Sequence, residues 1–244
     1  MKTLYLKEIA GFFSSVTGYV VLVVFLVING LFVWVFPGER NVLDAGYATL
    51  DTLFNIAPLV FLFLVPAITM RTIADEQRSG NLDLLLTRPL TELQIVFSKF
   101  LAGITVTLLA LIPTLIFLIS VSLLGEPTFN LDYGATWGSY FGLLLLASAY
   151  ISIGIFASSL TDNTIVAFIL AVVLCFFLYM GFNSVAYLSL KGDTGNLIMS
   201  LGIDAHYNSM RRGVIDSRDL VYFLSVIILF IYLTRTKLRS RSWS

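Results

Sequence analysis

The sequence holds one cysteine and one histidine. Cys175 alone closes no intrachain disulfide, and neither it nor His206 has a neighbour at metal-ligand spacing. Cys175 reads as a small buried apolar residue, His206 as a surface or interface residue. Charged residues make up only 12% of the chain. None falls in the middle of a long apolar run, which argues against the buried ionisable relay of a proton- or ion-coupled carrier. There is no G-x-x-x-x-G-K-(S/T), so the chain binds no ATP through a P-loop of its own. G-x-S-x-G and H-E-x-x-H are missing too. Asp75 and Glu76 are adjacent carboxylates, but neighbours diverge on a helix. Pairing with Arg71, Arg78 or Arg88, or with a partner, is expected rather than acid–base catalysis. No internal repeat or low-complexity tract breaks the chain, and a single domain over 1–244 is expected. No cleavable signal peptide is expected, because the first apolar run extends from near Val16 to Phe36. Formal net charge is +0, so total charge points to no partner, and nothing implies nucleic acid.

What is present is apolar length. Hydrophobic residues are 58%, against roughly 45–50% in soluble domains, and mean hydropathy is +0.91. A span needs about 20 apolar residues to cross about 30 Å of hydrocarbon. Six runs are read as spans, the last of them shorter than the rest: Val16–Phe36, Thr52–Met70, a helix from Leu93 to Leu124, Trp137–Leu160, Thr164–Tyr187 and Leu220–Thr234. Pro37-Gly38 ends the first. Pro58 and Pro66 in the second free backbone carbonyls and mark either a hinge or a packed kink. Pro113 is expected to kink the third. The fourth is rich in glycine, alanine and serine, which lets helix backbones approach closely, and is predicted to lie in the interior or at a subunit interface. Asn29, Asn55 and Asn183 are polar intrusions expected to bond between helices. Residues 2–15 place Tyr5, Ile9, Phe12, Phe13 and Val16 on one face, with Lys2, Lys7 and Glu8 off it. This predicts a helix lying in the headgroup region.

The stretch from Arg71 to Phe100 organises the rest. Residues 74–79 are almost wholly polar. Gly80 offers a left-handed helix stop, and Asn81 is placed to cap a new short helix. Leu82, Leu85, Leu86 and Pro89 then form one apolar stripe, with Asp83, Thr87 and Arg88 pointing elsewhere. Pro89 closes the helix. Thr91 and Gln94 form a capping box for the next.

The run Glu76, Gly80, Asn81-Leu82-Asp83, Leu85-Leu86 and Pro89 resembles the E-x-x-x-G-(T/N)-L-(E/D)-x-L-L-x-x-P motif of type-2 exporter-family ABC transporter permeases. Among these it is most similar to the permease subunits of gliding-motility ABC transporters, with nitrous-oxide-maturation permeases behind them. The resemblance covers most of the chain, including 7–34 and the run Arg212 to Asp219. It implies that the loop is a coupling helix docking on a separate ABC ATPase subunit, which binds the ATP. Glu76, Arg78, Gly80, Leu82, Asp83, Leu85, Leu86, Arg88 and Pro89 would carry the docking. The resemblance also implies a second permease chain, identical or not. No cofactor, metal or catalytic residue is expected on this chain.

The fold expected is an all-α polytopic membrane protein. It has six spans, an N-terminal interfacial helix and a coupling helix between spans two and three. Lys and Arg favour the cytoplasmic side of short loops. Lys2 and Lys7, the 71–99 loop and the basic tail share one side at six spans, so both termini are expected in the cytoplasm and the chain in the inner (plasma) membrane, among lipid. The 188–216 segment carries Lys191, Arg211 and Arg212, against the rule, yet parity puts it outside. There, Asp204 is expected to cap a short helix that Gly213 closes. The other readings are a secondary carrier or intramembrane enzyme, and a structural scaffold of an envelope or motility machine.

Overall fold

The computed structural model describes residues 1–87, 90–189 and 193–241. Its described residues are helical, with no strand among them, and six helices are long and apolar enough to cross a membrane. Helix α1 (Lys2–Phe13) precedes α2 (Val16–Gly30), which widens into a π turn over Leu31–Val35. A short α3 (Val42–Ala45) leads to α4 (Asp51–Thr69). Two short helices follow, α5 (Ala74–Arg78) and α6 (Asn81–Leu86). Then come α7 (Glu92–Leu111) and α8 (Leu115–Leu124), joined by a tight turn over Ile112–Thr114 at Pro113, where the kink was predicted. Helix α9 (Tyr133–Leu160) is followed by α10 (Thr164–Phe176), a π turn over Phe177–Gly181, and α11 (Phe182–Ser189). Beyond it lie α12 (Asp193–Met199), α13 (Ile203–Arg211) and α14 (Ser217–Arg241).

Helix α9 is the axis. It packs against α4, α7, α10, α13 and α14, and most of its residues are buried, as its small side chains predict. Lipid tails are as apolar as leucine, so helices in a bilayer gain mainly by close contact. Gly154 lies against Thr69 of α4, Gly103 of α7 against Ile151, and Gly142 against Met210 of α13. A side chain at any of these glycines would push two helices apart. By contrast, α2, α10 and α14 keep long rows of exposed apolar residues, such as Val20, Val24, Ile165, Ile169, Val221 and Ile228.

The prolines of α4 resolve differently from an open hinge. Pro58 has no N–H to give Phe54, one turn before it. The freed Phe54 carbonyl accepts instead from the Tyr207 hydroxyl at 2.7 Å. Tyr207 is buried, and burial holds its hydroxyl well above the usual phenol range, so it remains a neutral donor. Pro58 is therefore a packed kink with its loose end tied. Tyr207→Phe should leave that carbonyl unpaired and lower thermal stability by about 1–3 kcal/mol. An unchanged melting temperature in detergent would show that water replaces the bond.

Other expectations need correcting. Asn29 and Asn55 do not bridge helices: their amides bond to Phe25 and Asp51 carbonyls one turn back in their own helices. Only Asn183 reaches across, to the Asp204 carboxylate at 2.7 Å. Asp204 is thus occupied within the first turn of α13, and Gly202 takes the N-cap position. Gly213 closes α13 with φ +79°, packed against Ala135 where a β-carbon has no room.

Candidate coupling site

The second span does not stop at Thr69. It runs through a tight turn over 70–73 into α5, and the apolar helical segment as a whole extends over Asp51–Arg78. Gly80 then adopts φ +72°, the left-handed conformation that lets the chain reverse into α6. Gly80 itself is the N-cap of α6, and the expected Asn81 cap is not formed. At the far side, the capping box between Thr91 and Gln94 forms in both directions and starts α7.

The first N–H groups of a helix have no intrahelical partner. At α5 they are met from another span. The Ser158 hydroxyl of α9 accepts from the amides of Ile73 and Ala74 at 3.1 and 3.0 Å, and donates to the Met70 carbonyl at 2.9 Å. The Gln77 amide donates to the Ser159 carbonyl at 3.0 Å. Ile73, Ala74 and Ser158 are buried. The hairpin is therefore bolted to the end of the most buried helix.

A charge cluster fixes its other side. The Lys99 ammonium, fully buried on α7, lies 2.8 Å from Glu8 Oε1, 2.8 Å from Glu76 Oε2 and 2.6 Å from the Thr72 carbonyl. Glu8 and the Thr72 carbonyl accept hydrogen bonds from it, whereas Glu76 Oε2 faces it as an ion pair without a hydrogen bond. Lys7 completes the set at 3.2 Å from Glu76 Oε1. Two cations and two carboxylates thus join α1, α5 and α7 with no residual charge. A cavity of ≈ 270 Å³ opens beside them between α1, α2, α4 and α7. Its wall includes Arg71, which bonds the Thr17 hydroxyl rather than a carboxylate.

These contacts revise the expected arrangement. Glu76 pairs with Lys7 and Lys99, not with Arg71 or Arg78, and it is 8% exposed, so its carboxylate is turned inward. Leu82 is fully buried in the chain's own core and is not free for a partner. Leu85 is half-buried. Among the leucines of α6 whose side chains are described, Leu84 is the outward one, at 66% exposure. Arg78 ends α5, Asp83 sits in the first turn of α6, and both are exposed. Leu86 is in the last turn of α6, while Arg88 and Pro89 lie outside the described residues. Sequence reasoning counted Lys99 as a loop cation and missed Lys7, Glu8 and Ser158. One signal was available: Lys99 is a lone cation eight residues into a helix whose next 25 residues carry no charge.

An all-helical bundle of six spans, its polar hairpin clamped to two of them, defines a multi-pass membrane protein. The family model described as ABC-2 family transporter protein matches residues 37–235, and the chain belongs to that family. A search among curated proteins found no match.

Proposed function

We propose that this chain is the non-catalytic membrane subunit of an ATP-driven exporter, coupled through α5 and α6 to ATPase subunits on separate chains. The observation that carries the reading is the rigid seating of an exposed, short hairpin. Ser158 and Lys99 tie it to α9 and α7, while Arg78, Asp83 and Leu84 remain outward. A push on that surface passes into two spans without a flexible linker. In this reading the hairpin and both termini face the cytoplasm, the chain sits in the inner membrane, and ATP is held by the partner. A second permease chain completes the unit, and the exposed rows on α2, α10 and α14 serve that partner and lipid. The motif from Glu76 to Pro89 supports a permease of the gliding-motility type. Membership of the ABC-2 transporter family supports the permease assignment itself. An ion-coupled carrier needs a buried ionisable group free to exchange its proton or ion, and Lys99 is held between two carboxylates and the Thr72 carbonyl.

The test is affinity purification of the tagged chain from native membranes in mild detergent. An ABC ATPase should co-purify in a fixed ratio, with ATP hydrolysis in the eluate. A chain recovered alone, with no hydrolysis under conditions that preserve the bundle, would overturn the reading.

A further inference from the structure

We infer that His206 is a proton-binding clasp that holds α13 to α14 at the end of the bundle opposite the hairpin. The argument rests on which atoms can donate. His206 Nδ1 lies 2.7 Å from Asp219 Oδ1, and Nε2 lies 2.8 Å from the Ser200 carbonyl. A carboxylate and a carbonyl are both acceptors. A neutral imidazole has one N–H and can serve only one of them, whereas imidazolium serves both. Asp219 is buried, and its other oxygen, Oδ2, has no hydrogen-bond partner. Its charge therefore depends on His206, since a buried carboxylate without a counter-charge is costly. Tyr222, also on α14, stacks on the imidazole at 3.9 Å with the rings 20° apart, the geometry that favours a cationic ring. The Tyr222 hydroxyl donates to the Leu201 carbonyl at 2.7 Å. The Ser200–Leu201 turn is thus gripped twice, once by each ring.

The neighbouring charged groups are Asp204 and Arg211 on α13, Arg212 just beyond it, and Asp216 and Arg218 at the start of α14. Asp204 accepts from Asn183, and Asp204 and Arg211 interact with Tyr179 of the fifth span. Asp216 Oδ1 accepts from the Arg218 amide at the start of α14. Asp219 and Tyr222 are the titratable groups in direct contact with the ring. The sign follows. The clasp is complete when His206 is protonated, and it loses one hydrogen bond and one charge pair as pH rises and the proton leaves. Helix α13 then keeps its ties to Phe54 and Ser139 but loosens from α14. This end of the bundle becomes proton-sensitive through a pair whose carboxylate sits in the first turn of the sixth span.

The chain has one histidine, so selective ¹⁵N labelling gives a single imidazole to follow, and hydrogen exchange reports α13. In purified wild-type protein, both ring nitrogens should carry protons at low pH. The protection factors over residues 203–211, corrected for intrinsic exchange, should fall roughly tenfold as one proton leaves, about the worth of a hydrogen bond to a charged group. His206→Gln should show the reduced protection at every pH. Asp219→Asn is the decisive variant. Its amide can donate to neutral Nδ1 while Nε2–H still reaches Ser200, so α13 should stay protected at high pH and lose its pH dependence. A neutral imidazole throughout, pH-independent protection of α13 in the wild type, or an Asp219→Asn profile like the wild type would each overturn the clasp.

Discussion

Lys99→Met should destabilise the protein by about 3–5 kcal/mol, the cost of removing one partner from a buried ion network. The ammonium is fully buried, donates to Glu8 and the Thr72 carbonyl, and lies 2.8 Å from Glu76 Oε2 as an ion pair. Methionine fits the same channel but donates nothing. Two carboxylates then face each other with Lys7 alone to balance them, and Lys7 is largely exposed. The midpoint of thermal unfolding in detergent should drop by on the order of ten degrees. The diagnostic step is to neutralise what the substitution strands. Lys99→Met combined with Glu8→Gln and Glu76→Gln removes both unpaired charges and should recover most of the loss, because a neutral set of similar volume replaces a buried ion cluster at little cost. The triple variant should remain poor in any hydrolysis that depends on the hairpin, since α1, α5 and α7 no longer share a charged joint. A single Lys99→Met with wild-type melting would mean that the cluster contributes nothing.

Leu84→Asp should act in the opposite way, leaving the bundle intact and abolishing the partner. Leu84 is 66% exposed, so aspartate there meets water in the free chain. In a docked complex the same position would be covered. Losing a buried leucine forfeits about 1.5–3 kcal/mol, and an unpaired carboxylate adds desolvation. The sum, about 3 kcal/mol or more, is above a hundredfold in affinity. Leu82→Asp provides the contrast: that side chain is fully inside the chain's own core, and the variant should fail to fold. Melting temperature and ATPase recovery, measured together, separate the two. Leu84→Asp protein that melts normally and still captures wild-type amounts of ATPase would remove α6 from the docking surface.

The sequence showed the spans well because hydrocarbon thickness imposes length and polarity together. The run 164–187 was read to the residue, and the first, third and fourth matched at one or both ends. Local chemistry was equally legible where it is self-contained: Gly80 is left-handed, and Thr91 and Gln94 cap each other. What mostly escaped was which particular side chains meet across helices, although the interior place of α9 and the inter-helix bond of Asn183 were legible. The stripe Leu82–Leu85 has helical spacing, but spacing does not say whether a stripe faces partner or self. Glu76 has arginines near it in sequence, yet Lys99 and Lys7 are nearer in space, 23 and 69 residues away along the chain. Asn29 and Asn55 found carbonyls in their own helices because a backbone acceptor one turn back is always within reach. His206 has no histidine or cysteine nearby in sequence, and its partner Asp219 comes from a different helix.

The hydroxyl of Tyr207 and the hydroxyl of Ser158 hold opposite ends of one rod. Tyr207 fixes α4 at Phe54, and Ser158 fixes its continuation at residues 70–74. Between them, Gly154 lets Thr69 sit against α9 with no room for slippage. Helices α4 and α9 are therefore a single strut, pinned at both tips and keyed near one of them. Such a member can tilt or swivel but cannot telescope. In the proposed coupling, a load applied at α5 would reach the far tip as rotation, with α13 tied to α4 and α9 by its bonds to Phe54 and Ser139.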